Sequence, residues 1–179
     1  MANDPISFRP GLTNSGLIFG SLSFPDEKAN FNGYFLQVKL ISADNKNARK
    51  NLREIKFSPK QVWKMQHRGE LDNGLTYVFA LDLPEGDYEI SGIRLFSNSG
   101  VAALQRHDVL SGFSIPFTII KGNIKYVGNI QFNENTSLRA NIALTHKNEF
   151  EKDLEAIKSS QPYIIWDSAE NADLKMTYK

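Results

Sequence analysis

An all-β fold, a single antiparallel β-sandwich of seven or eight strands with one C-terminal amphipathic α-helix, is the class this sequence predicts. Three observations carry it. Apolar residues recur at every second position in short runs along most of the chain, the period of a half-buried strand. These runs end in clusters of Pro, Gly, Asn and Asp, the residues that turn a chain. Near residue 150 the period changes to that of a helix and does not change back. A chain of 179 residues is long enough to bury one core, so a single domain is expected.

Residues 1–14 read as a polar leader, 15–162 as the β domain with a closing helix over 148–159, and 163–179 as a tail. Gly16 to Phe24 is the first strand, with Gly20 marking a bend or close approach, and Pro25-Asp26 ends it. In the second, Gly33 to Ser42, Tyr34, Leu36, Val38 and Leu40 alternate with Gln37 and Lys39. Ala43 to Asn51 is a polar loop. Arg53, Ile55 and Phe57 share a phase in a short strand from Leu52 to Phe57. Ser58, Pro59 and Gln61 then form a capping pattern that favours a short helix to about Gln66. Against the helix, Gln61, Trp63 and Met65 alternate with Val62 and Lys64 as in a strand.

The stretch Leu75 to Phe96 reads as a central hairpin. Leu75, Tyr77, Phe79, Leu81 and Leu83 share one face, and Pro84-Glu85-Gly86-Asp87 turns the chain. Tyr88 and Ile90 fall on one phase of the return strand, Ile93 and Leu95 on the other, which places a β-bulge or close approach at Ser91-Gly92. Ser97 to Leu110 is the longest irregular segment. A second hairpin pairs Phe113, Ile115, Phe117 and Ile119 with Ile124, Tyr126, Gly128, Ile130 and Phe132 across Lys121-Gly122-Asn123. Pro116 has no backbone donor, so its strand belongs at an edge or a bulge. Ser137 to Thr145 is the last strand, burying Leu138, Ala140, Ile142 and Leu144. Phe150, Leu154 and Ile157 form the helical stripe, with Asn148 and Glu151 as a capping pair. The expected core includes Leu36, Val38, Tyr77, Phe79, Leu81, Tyr88, Ile90, Phe117, Tyr126 and Ile142.

Leu83-Pro84-Glu85-Gly86-Asp87-Tyr88-Glu89-Ile90, Phe113 to Ile119, and Lys121-Gly122-Asn123-Ile124-Lys125-Tyr126-Val127-Gly128 together resemble prealbumin-like (transthyretin-like) sandwich domains. The likeness is to those in small bacterial periplasmic proteins and lipoproteins, and it covers residues 15 to 162. It implies an extracytoplasmic, immunoglobulin-like sandwich whose membrane link is a lipid anchor attached upstream. An enzymatic relative, hydroxyisourate hydrolase, ends in Tyr-Arg-Gly-Ser. This chain ends Met176-Thr177-Tyr178-Lys179, so that activity does not carry over. The fold by itself names no function.

Composition narrows the remaining classes. A net charge of +1 gives no global attraction to nucleic acid or membrane. The absence of cysteine removes disulfides, thiol nucleophiles and thiolate metal sites. His67, His107 and His146 lack ligand-spaced partners and read as solvated loop residues. No nucleophile elbow or phosphate loop is present, and Glu149, Glu151, Asp153 and Glu155 read as a solvated helix face. The sequence therefore predicts no catalytic residue, metal or cofactor, and no nucleic-acid partner.

One charge feature is not scattered. Lys46, Arg49, Lys50, Arg53, Lys56, Lys60, Lys64 and Arg68 are opposed only by Glu54, with Phe57 and Trp63 among them. Arg49, Lys50, Arg53, Lys56, Trp63 and Lys64 are the candidate binding surface, for an anionic polymer or a carbohydrate. The commoner reading is an edge strand whose lysines suppress aggregation. The leading expectation is a non-catalytic module that binds a protein or cell-envelope partner.

Overall fold

Two β-sheets close on one apolar core in the computed structural model, which describes residues 6–41, 51–61, 63–98 and 105–179. The first sheet joins β1 (Ser15–Ser23), β6 (Thr76–Pro84), β10 (Ile124–Phe132), β11 (Leu144–Lys147) and β12 (Ala169–Asn171). The second joins β2 (Gly33–Leu40), β3 (Leu52–Phe57), β7 (Gly86–Asn98), β8 (Gln105–Leu110), β9 (Phe113–Ile119) and β13 (Thr177–Tyr178). The chain is thus mostly β, with antiparallel pairing in both sheets. The exceptions are β1 with β10 and β10 with β12, which pair in parallel.

Alternation decides which side chains enter the core. Ile18, Leu22, Tyr77, Phe79, Leu83, Val127 and Ile130 of the first sheet meet Tyr34, Leu36, Val38, Ile55, Phe57, Ile90 and Ile93 of the second. The opposite face of the first sheet is buried as well. There Leu17, Phe19, Val78, Ala80 and Tyr126 are covered by Ile157 of α2 (Phe150–Ser160), by Ile164 and Trp166, and by Phe8. The leader therefore docks: Phe8 is buried and bridges Ile164, and Ile165 N donates to the Phe8 carbonyl.

Both expected hairpins are corrected to crossings between sheets. β6 pairs with β1, and β7 with β2, β8 and β9, so the chain leaves one sheet at Pro84 and enters the other at Gly86. Leu83 and Tyr88, on either side of that crossing, belong to the same core. The Tyr88 hydroxyl donates to the Pro84 carbonyl at 3.0 Å and clamps the corner. The second pair behaves alike, β9 lying in one sheet and β10 in the other. Alternation reports the face of a strand and is silent about its neighbour.

Five further expectations change. The short helix over 59–66 is absent: β4 (Lys60–Gln61) and β5 (Met65–Gln66) form a small ribbon instead. Backbone bonds from Ala29 to Met65 and from His67 to Glu27 hold that ribbon extended, and local capping loses to them. Within the supposed irregular segment from Ser97 to Leu110, Ser97 and Asn98 end β7 and 105–110 is strand β8, while 99–104 lie outside the described residues. Ser137 to Thr145 is not a strand; α1 (Ala140–Ala143) precedes the short β11, leaving Leu138 and Ile142 exposed. Leu81 is only partly buried. Finally the tail is paired, β12 against β10 and β13 against the start of β9. Pro116 sits on β9 beyond the reach of β13, where a missing N–H costs no ladder bond.

Two sequence-marked irregularities are present where expected. The β2–β7 register shifts between Gln37 and Val38, opposite Ser91. The β1–β10 register shifts between Phe19 and Ser21, where a Cβ on Gly20 would stand 2.6 Å from the Gly128 carbonyl oxygen. The closing helix also forms, as α2, with Ile157 fully buried and Phe150 and Leu154 partly so.

Candidate functional site

Register builds the most distinctive exposed surface. On the outer face of the second sheet, Lys56, Phe35, Arg94 and Val109 stand directly opposite one another across β3, β2, β7 and β8. Phe96 and His107 form the next pair on the same face, their rings 5.0 Å apart. Residues of opposite phase, Ile93 and Leu95, enter the core, which is why Arg94 and Phe96 face out.

Arg94 is held from several sides. Its guanidinium lies 3.8 Å from the Phe35 ring centroid, within cation–π range. Its Nε donates to Glu54 Oε1 at 2.9 Å, its second terminal nitrogen donates to Glu54 Oε2, and Nη1 lies 3.2 Å from His107 Nδ1. The fork keeps the Glu54 carboxyl below its ordinary range, hydrogen bonding from Arg94 being the main cause, and it raises Arg94 in turn. Gly92 completes the arrangement, since a Cβ there would come within 2.4 Å of Gln37 Oε1. Gln37 lies over that gap and donates to Glu54 Oε1 at 3.1 Å. The result is a pre-set apolar and cationic platform, with Val109 half exposed at one end and Lys56 at the other.

The sequence-derived basic surface is only partly assembled. Arg49 and Lys50, like Lys46, lie outside the described residues. Arg53 and Lys56 are exposed but belong to opposite phases of β3, so they point to opposite sides of the sheet. Trp63 and Lys64 sit at the end of the β4–β5 ribbon, Trp63 with 93% of its surface open. Phe57 is core.

Two buried polar networks were not visible in the sequence. In one, His67, expected as a solvated loop residue, is 2% exposed and stacks on Phe24 at 3.7 Å. Its Nε2 is 2.9 Å from Glu134 Oε1, while Glu134 Oε2 accepts from the Tyr34 hydroxyl and from Asn30 N. Tyr77 closes the set, its hydroxyl 3.4 Å from His67 Nδ1 and accepting from Arg68 N at 2.8 Å. Burial pushes the Tyr77 phenol up to about 12, and burial together with Glu134 raises Tyr34 further. In the other, Asp153 is not a solvated helix residue but buried, its Oδ2 accepting from Ser21 and Tyr126, each at 2.6 Å. Desolvation raises its carboxyl against the opposing pull of those two bonds. Oδ1 of Asp153 has no hydrogen-bond partner.

These networks join distant segments, and their carboxylates, Glu134 and Asp153, are buried. The His67 and Glu134 side chains are 0% and 1% exposed. The cavity beside Asp153, about 220 Å³, is lined also by Asp72, Glu149 and Lys152, and Lys152 spans it to bind both Asp72 carboxyl oxygens. Among the described residues, no three His, Cys, Asp or Glu side chains converge to hold a metal ion. His107 is exposed beside Arg94, and His146 is half-buried with Nε2 2.9 Å from the Val127 carbonyl oxygen. Burial lowers the His146 imidazole.

No family model matches the chain, and no curated protein does. Among solved structures, a leucine-rich repeat protein from Bacteroides thetaiotaomicron is similar at 16% identity, with a TM-score of 0.33. The match covers 68% of this chain and 14% of that one.

Proposed function

We propose that the chain is a non-catalytic, prealbumin-like β-sandwich module of the bacterial cell envelope that binds a protein partner through the outer face of its second sheet. The Lys56–Phe35–Arg94–Val109 row carries this reading. Aromatic residues and arginine dominate the energetics of protein contacts. An arginine already fixed by Phe35 and Glu54 loses little rotamer freedom on binding. The sealing of the His67–Glu134 pair supports a non-catalytic role. The extracytoplasmic setting and the lipid anchor rest on the resemblance of the Pro84-Glu85-Gly86-Asp87-Tyr88 corner and the Gly122 to Gly128 segment.

The test is capture from envelope extract at low and at high salt with wild type, Arg94→Ala/Val109→Asp, and Arg53→Glu/Lys64→Glu proteins. Binding through the platform survives high salt and is lost in the first variant. Binding that disappears at high salt and in the charge-reversed variant would replace this reading with an anionic-polymer binder, because counterion release makes such binding steeply salt-dependent.

A further inference from the structure

We infer that the β4–β5 ribbon is a membrane-surface finger that inserts Trp63 at the headgroup level of an anionic bilayer. The inference is independent of the Arg94 platform. Trp63 is 93% exposed, the most open large apolar side chain among the described residues. It stands at the end of a two-stranded ribbon that pairs with neither large sheet. A lone surface leucine or valine would be unremarkable. An indole is different, because its apolar body and single N–H donor suit the boundary between lipid and water.

The charge of the ribbon selects the kind of surface. Lys60 and Lys64 flank Trp63 and are exposed, and the segment 60–66 contains no acidic residue. The root carries acidic as well as basic exposed residues, Asp26, Glu27 and Glu70 beside Lys28 and Arg68, so the excess positive charge lies toward the tip. The root is fixed to the body. Ala29 N donates to the Met65 carbonyl at 3.1 Å, Lys28 bridges Gln66, and Met65 packs against the core between the sheets. Trp63 is thereby presented on a supported stem. One indole and two lysines make a weak contact by themselves, of the kind that acts together with a second anchor.

The experiment is vesicle co-sedimentation with tryptophan emission, using vesicles of phosphatidylcholine alone or mixed with phosphatidylglycerol. Wild type should bind the mixed vesicles with a blue shift in emission and bind pure phosphatidylcholine far less. Trp63→Ser should lose the blue shift, since Trp166 is already buried, and should keep the wild-type melting temperature because Trp63 touches so little. Lys60→Glu and Lys64→Glu should each weaken partitioning by about fivefold or more. Three results would overturn the inference: no binding to mixed vesicles, equal binding by Trp63→Ser, or an emission shift with soluble dextran sulfate that vesicles do not produce.

Discussion

Removing the Glu134 side chain should be among the most damaging single truncations in this protein. In Glu134→Ala, His67 Nε2, the Tyr34 hydroxyl and Asn30 N lose their partner together. His67 and Tyr34 are buried, and a buried polar group left unpaired costs about 1–3 kcal/mol. Asn30 is exposed, so water replaces its bond at little cost. The two buried groups together give a loss of about 2–6 kcal/mol, a large share of the 5–15 kcal/mol typical of a whole domain. Glu134→Gln keeps an acceptor for Tyr34 and keeps the volume, and should cost about 1 kcal/mol. Tyr34→Phe should be sub-additive with Glu134→Ala, because both remove the same bond. Urea unfolding measures all three, with an unchanged slope as the sign of a native-state effect. A loss below about 1 kcal/mol for the alanine variant, or equal losses for alanine and glutamine, would refute this account of the network.

Asp153 gives a pH-dependent prediction. Its carboxyl is raised in the folded state, so its stabilising contribution is complete below the ordinary aspartate range and declines as pH rises through the folded value. Asp153→Asn should therefore gain on wild type between pH 4 and pH 7 in urea midpoints, and a constant difference would contradict the sign. Gly128→Ala should destabilise by about 3 kcal/mol or more, lowering the melting temperature by roughly 6–12 °C. Gly128 has φ +100°, and its Cβ would fall 1.9 Å from His146 Nε2; a loss within 2 °C would show that the bulge relaxes. Deleting 172–179 should lower solubility, since Leu174 and Met176 pack on the core and β13 covers the start of β9, while an unchanged monomer at high concentration would argue against that covering role.

The sequence was most legible where a single strand and its own phase decide the outcome. Tyr34, Leu36 and Val38 are buried as their alternation requires, and the phase slip at Ser91-Gly92 is a true bulge. That slip also contained the site, because it turns Ile93 and Leu95 inward and so presents Arg94 and Phe96 outward. What was missing was the neighbour. Phe35 and Arg94 are 59 positions apart, and only the β2–β7 register shows that they touch. The same gap explains the hairpins that are crossings and the histidine that is core, since His67 meets Glu134 across 67 residues. In the ribbon, the capping pattern at Ser58 and Gln61 describes a helix that local energies permit. Bonds from Ala29 and to Glu27 favour the extended chain instead.

The most direct test of the central claim is hydrogen–deuterium exchange of the full chain with and without the envelope protein captured at high salt. A partner seated on the platform should slow exchange in β2, β3, β7 and β8, most clearly around Phe35 and Arg94, and leave α2 unchanged. Protection confined to α2 and the cavity beside Asp153, with β7 and β8 exchanging as in the free protein, would contradict it.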